Sequence, residues 1–344
     1  MNRPNPLVEL TLSRFREFLR EPEAIFWVFA FPVVMTCALG IAFRSRGSEP
    51  VIAGVVEQAG ADQVVAALEQ NGKFTVRRIA PDEADRALRD GRVPVLIVPG
   101  TPPTYRFDDA RAESQVARLA VDAALQRGAG RRDAFAPVEQ PIDVVGSRYI
   151  DWLVPGLLGM NIMGTGMWSV GFGIVTSRQK KLLKRLVATP MSKADYLFSI
   201  VLSRLATLSI EVIVIVSFAW IVFGVAVHGH LWTLALLSLL GAISFGGIGL
   251  LVASRARTIE AVSGLMNLTM VPMWVLSGVF FASTNFPDAM QPFIKALPLT
   301  ALNDALRAVV NEGRSVDTML PQIAVLSLWA AISFALSLKL FRWQ

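Results

Sequence analysis

Apolar positions along the chain follow three patterns, and each predicts a different kind of element. In LVELTLSRFREFLR, residues 7–20, Leu7, Val8, Leu12, Phe15, Phe18 and Leu19 share one arc of about 140° at helical spacing. Glu9, Ser13, Arg16, Glu17 and Arg20 cover the other side, so the segment predicts an amphipathic helix. The next run, residues 24–43, is apolar all round for about 20 residues, enough to cross about 30 Å of hydrocarbon. A cleavable leader has a shorter apolar region that starts sooner, so a retained span is expected. Pro32 inside it is tolerated in lipid where a neighbouring group satisfies the carbonyl it frees. Five more apolar runs, near residues 150–176, 196–224, 231–253, 259–281 and 318–341, bring the expected spans to six.

Between the first two runs the pattern changes. VIAGVV (51–56), FTVRRI (74–79) and VPVLIVP (93–99) predict strands, and YRFDD is a fourth candidate. ADQVVAALEQNG (61–72), PDEADRALRDG (81–91) and residues 113–127 predict helices between and after them. Asp82 is expected to cap the second of these and Gly91 to stop it. Such alternation points to βαβ units. The expected fold class is an α-helical membrane protein with six transmembrane helices and an inserted soluble α/β domain. Its parts are an amphipathic helix (1–23), a first span (24–43), the α/β domain (47–146) and five further spans (147–344).

Composition agrees with the pattern. Of 344 residues, 53% are hydrophobic and 17% charged, with mean hydropathy +0.50; soluble domains average about 25% charged. The net charge of +6 is unevenly spread. Residues 47–148 hold 13 Lys or Arg against 15 Asp or Glu, and the rest of the chain 20 against 12. Basic residues beside apolar runs favour a cytoplasmic-leaflet surface over nucleic acid. Arg14, Arg16 and Arg20, the cluster at 178–185, Arg255 with Arg257, and Lys339 with Arg342 all fall on one side of a six-span layout. That places both termini in the cytoplasm and the α/β domain outside; Arg44 and Arg46 weigh mildly against it. One cysteine, Cys37, excludes an intrachain disulfide, and His228 with His230 are too few for a closed metal shell.

RQKKLLKRLVATP, residues 178–190, lies between the second and third runs. Leu182, Leu183, Leu186 and Val187 share one arc, and Arg178, Lys180, Lys181, Lys184 and Arg185 take the other. Pro190 ends the helix. By spacing alone this is equally a plain positive-inside anchor or a helix offered to a partner.

The stretch resembles the first cytoplasmic loop of bacterial ATP-binding-cassette permeases of the type-2 export class, which carry an Arg, a Leu and then L-x-x-TP. Arg178, Leu183, Leu186, Thr189 and Pro190 match; Lys184 departs, since an acidic residue is common there. A second stretch, residues 272–313, is similar to the fifth span and outer hairpin of that class through Ser277, Gly278, Phe280, Pro287, Pro298, Leu299, Thr300, Arg307 and Gly313. Together with the span layout the resemblance covers nearly the whole chain. It implies a dimer of six-span subunits, from a second copy or a paralogue, each bound to a separate cytoplasmic P-loop ATPase. ATP and magnesium would then sit on that partner, with no cofactor on this chain. This fits the absence of G-x-x-x-x-G-K-[ST] from the sequence. The resemblance makes residues 178–190 the coupling helix, Arg185 included, residues 7–20 an interfacial connecting helix, and residues 285–313 a re-entrant outer hairpin with Phe286, Phe293 and Leu297 buried. It also makes the second and fifth spans the walls of the pathway, in the bacterial inner membrane.

In those walls Asn161, Met163, Trp168, Asn267, Met270 and Trp274 are candidates: Met and Trp make an adaptable apolar surface and Asn a polar handle. Ordinary packing explains each of them singly as well. Glu211 lies near the middle of the third run, where a charge costs about 2.5–3.5 kcal/mol on insertion scales. Arg204, two turns earlier, is on nearly the same face, so an internal ion pair and a cavity charge both fit. Two functions follow. One is the permease of an ATP-driven exporter for a hydrophobic or amphipathic substrate, in contact with membrane lipids and with periplasmic partners. The other is a receptor or scaffold whose outer domain senses a ligand and whose basic loop recruits a partner. An adjacent ATPase gene would favour the first.

Overall fold

The computed structural model describes residues 6–43, 50–132, 135, 138, 140, 146–179, 193–256 and 258–340. The chain forms two compact units, Arg46–Ile142 and the residues on either side of it. The second begins with α1 (Pro6–Leu19), the expected amphipathic helix. The first span, α2 (Pro22–Ala42), has three parts: a turn of α-helix opened by Pro22, a π-helical stretch Phe26–Ala30, and an α-helix Phe31–Ala42. The π stretch ends where Phe31 N–H reaches back five residues to Phe26 O. Its cause is Pro32, which offers no N–H and crowds the carbonyl four residues earlier.

In the α/β unit, β1 (Val51–Val56), β2 (Phe74–Ile79), β3 (Val95–Val98) and β4 (Thr104–Phe107) form one sheet in the order β2-β1-β3-β4. β1 is parallel to β2 and β3, and β4 runs antiparallel to β3. β1 is buried on both faces, which is why VIAGVV shows no alternation. On one face Ala53 and Val55 pack with Val65, Leu68 and Val121 of α3 (Ala61–Glu69) and α5 (Ala112–Gly128). On the other, Val56 and Leu96 pack with Ala84 and Ala87 of α4 (Ala84–Arg89). Asp82 does not cap α4: the helix starts two residues later, after Glu83, and has no side-chain cap.

The helical unit resumes with α6 (Tyr149–Gln179), α7 (Lys193–Phe223), α8 (Leu231–Arg255) and α9 (Ile259–Leu276). The short α10 (Gln291–Ala296), α11 (Pro298–Val310) and the last span α12 (Leu320–Leu340) follow. Among the described residues six helices are long and apolar enough to cross a membrane: α2, α6, residues Leu202–Phe223 of α7, α8, α9, and α12 with its preceding turn. Two limits differ from expectation. The fifth span stops at Leu276 rather than continuing to 281, because Ser277 leaves the helix and Gly278 takes φ 70°. The second runs through Gln179, so Arg178 lies in its last turn and not in a separate loop helix.

α6 is the centre of the bundle: 56% of its apolar stretch is buried, against 22% for the first, third, fifth and sixth spans. It packs on α2, α7, α8, α9 and α11. Close approach needs its glycines. A Cβ on Gly156 would lie 2.7 Å from Val279 O, and one on Gly159 2.0 Å from Asn303 Oδ1. α11, although amphipathic, is buried at every position but Asp304, wedged among α6, α8 and α12. The hairpin is therefore built into the bundle. Its burial is uneven: Leu297 is buried and Phe286 half-buried, but Phe293 is 60% exposed. α10 turns Ile294 inward in its place.

Candidate functional site

Arg307 organises the hairpin end of the bundle. It is 5% exposed, and its guanidinium carbon lies 3.5 Å from the centroid of the Trp152 ring. Nε donates to Trp152 O at 3.2 Å and Nη2 donates to Gly278 O. Asp304 Oδ1 is 3.9 Å from Nη1. One side chain so joins the start of the second span, the turn after the fifth, and α11. Burial pushes its pKa down to about 10 against the pull of Asp304. It stays a cation at neutral pH, which the ring face and two carbonyls stabilise. Neighbouring side chains serve the same turn, whose buried carbonyls have no helical donor. Asn303 Nδ2 donates to Ser277 O at 3.0 Å, and Tyr149 Oη to Phe280 O at 2.9 Å. Asn311 Nδ2 donates to Asp151 O at 3.0 Å, while the Asp151 carboxylate accepts from Arg148 at 2.7 and 2.9 Å. Pro298 is buried at the first turn of α11, and Pro287 is exposed ahead of a 3-10 turn.

A second polar cluster lies within the spans. Arg204 Nη1 donates to Glu211 Oε1 at 3.0 Å; Glu211 is fully buried and the Arg204 side chain 18% exposed. Thr165 Oγ1 of the second span accepts from Arg204 Nη2 at 2.7 Å. It lies 3.1 Å from Glu211 Oε2 and 2.8 Å from Asn161 O, either of which its one proton can serve. Of the two readings open for Arg204 and Glu211, the internal pair is present, and Thr165 completes it.

The remaining candidates occupy different surroundings. Met163 and Met270 are fully buried within this unit's own core. Asn161 is 7% exposed and its Nδ2 donates to Val28 O of the first span at 3.0 Å. Trp168 stacks on Phe172 at 4.7 Å between ring centroids. Trp274 is half-buried against the core and Asn267 is exposed. Among the described residues these six do not share one environment. Arg178 Nη1 donates to Ala253 O at 3.0 Å and lies 3.4 Å from Ala256 O. It satisfies carbonyls at the end of α8, as a cation at a helix C-terminus does. Leu183, Lys184, Arg185, Leu186, Thr189 and Pro190 lie outside the described residues.

Thr165, Asn303 and Trp152 are contacts of these two clusters that sequence reading passed over. Trp152 carries a signal, as an aromatic ring at the start of a span. Thr165 and Asn303 carry none, because their partners are set by which helix turns meet.

The chain matches the family described as ABC-2 family transporter protein over residues 22–339. Nodulation protein J of Bradyrhizobium diazoefficiens is 25% identical over 204 residues, covering 58% of this chain and 76% of that protein. The linearmycin resistance permease protein LnrN of Bacillus subtilis is 29% identical over 182 residues, 53% of this chain and 46% of that one. The inner membrane transport permease YhhJ of Escherichia coli is 19% identical over 345 residues, covering 92% and 91%.

Proposed function

Because the chain belongs to the ABC-2 transporter family, we propose that it is the membrane-spanning permease of an ATP-driven exporter. It works as a dimer with a separate cytoplasmic ATPase that binds ATP and magnesium. The observation that carries this reading is a family match spanning all six apolar helices and the hairpin buried among them. In this reading residues 178–190 carry the coupling contact with the ATPase, Arg178 from the last turn of the second span. ATPase closure pushes on this stretch, and because Arg178 is tied to the end of α8, the push reaches two spans at once. The second and fifth spans face the partner subunit. α11, fixed by Arg307, closes the outer end of the bundle, and the α/β unit is extracytoplasmic. A relative named as a resistance permease, and the half-buried Trp168 and Trp274 of the two walls, support a hydrophobic or amphipathic substrate.

The test is purification of the tagged chain from its native membrane, followed by reconstitution into proteoliposomes. A P-loop ATPase is expected to co-purify, and lipophilic substrates to move only with ATP. Leu186→Ala, Thr189→Ala or Pro190→Ala should lower transport and weaken the ATPase complex. Intact coupling in all three would remove the coupling helix from this stretch. A chain that binds a ligand through its outer unit without ATP-dependent movement would favour the receptor reading.

A further inference from the structure

We infer that Asn161 is a positioning residue that latches the bent first span to the second by capping the carbonyl Pro32 releases. In an α-helix Val28 O would accept from the N–H four residues on. That residue is Pro32, which has none. A carbonyl left without its helical donor in an apolar interior is costly, so another group must supply one. Asn161 Nδ2 does so at 3.0 Å, and both residues are 7% exposed. The capped carbonyl lies inside the π-helical stretch Phe26–Ala30, where the first span is widest and its own ladder is out of register. The first span thus depends on the second to hold its bend.

The latch is anchored on its far side. Asn161 O lies 2.8 Å from Thr165 Oγ1, one turn along the second span, and Thr165 accepts from Arg204 of the third. A polar thread therefore runs from Val28 through Asn161 and Thr165 to Arg204 and Glu211, across three spans. α1, which leads into the first span, packs on α7, the helix that carries Arg204 and Glu211. The existence of the latch follows from these contacts; its role in coupling rests on the exporter reading above. There, a shift of the second span pulls the first through one hydrogen bond at its most compliant turn.

A double-mutant cycle on the full chain tests the latch by thermal unfolding in detergent. Asn161→Ala should lower the unfolding temperature by several degrees. Pro32→Ala returns an N–H to Val28, so Asn161→Ala on that background should cost less than half as much. Asn161→Leu, which keeps the volume and lacks the donor, should behave like Asn161→Ala and guards against a simple packing loss. Equal losses on both backgrounds would overturn the latch. With the cognate ATPase in proteoliposomes, Asn161→Ala and Pro32→Ala should each lower substrate moved per ATP hydrolysed several-fold. A proportional fall of transport and hydrolysis, with their ratio kept, would mean a purely structural bond and overturn the positioning role. Absence of ATP-dependent transport in the unaltered protein would instead sink the exporter reading, and the thermal cycle would still decide the latch.

Discussion

Gly159 and Gly173 belong to the same helix and meet opposite surroundings. A Cβ at Gly159 would press on Asn303 Oδ1 at 2.0 Å, whereas one at Gly173 meets nothing within 4 Å. Gly159→Ala should therefore destabilise by about 1–3 kcal/mol, the usual cost of overpacking a tight contact. Gly173→Ala should stabilise by about 0.5–1 kcal/mol through helix propensity. Thermal unfolding of the two purified variants checks both signs. Glu211→Gln leaves the Arg204 guanidinium facing a neutral amide in the apolar interior, and losing one member of a buried pair costs about 3–5 kcal/mol. Replacing both, Arg204→Met with Glu211→Leu, should recover most of that stability. If Glu211→Gln transports normally at equal expression, the pair serves packing alone. The seven-residue spacing made this pair readable in the sequence. Thr165 was not readable, since nothing local says which turn of another helix a hydroxyl will meet.

At the scale of elements, α11 depends on a flat, forked cation. Arg307→Ala removes the donors for Trp152 O and Gly278 O and the ring contact with Trp152 together. Amide hydrogen exchange should then speed up across 298–310 and 277–280 and little elsewhere. Arg307→Lys should resemble the alanine variant more than the native protein, because one ammonium cannot serve two carbonyls and stack on an indole at once. Exchange unchanged in Arg307→Ala would mean that apolar packing alone seats the hairpin. The hairpin itself was legible, because its apolar positions recur at helical spacing among prolines. Its limits were less so. An apolar run continues past Leu276, and only the turn at Gly278 ends the helix. The family resemblance implied a buried Phe293, yet in a six-residue helix the inward place goes to Ile294. The bend in the first span was half-legible: Pro32 announced a released carbonyl, and the donor, Asn161, was visible only in three dimensions.

At the scale of the molecule, the chain leaves its helical unit after α2, forms a sheet with a core of its own, and returns at α6. The strand-helix alternation made that excursion plain, because soluble periodicities cannot be mistaken for a run apolar on every face. β1 is covered on both sides by residues of the same unit, so residues 50–132 produced alone should fold. Tyr105 offers a single probe, since it is the one tyrosine of this unit. Burial, then the charge of Asp122 and the 3.2 Å bond to it, push its pKa up to about 12 from 10. The folded unit therefore holds this proton more tightly than the unfolded chain does. That contribution to stability is complete below pH 10 and is lost as pH rises through about 12. Ultraviolet titration of the isolated unit should show tyrosinate appearing near pH 12, and near pH 10 in denaturant. Asp122→Asn should bring the folded value part of the way down and leave the share due to burial. Ionisation near pH 10 without denaturant would mean that residues 50–132 alone do not close this sheet over Tyr105.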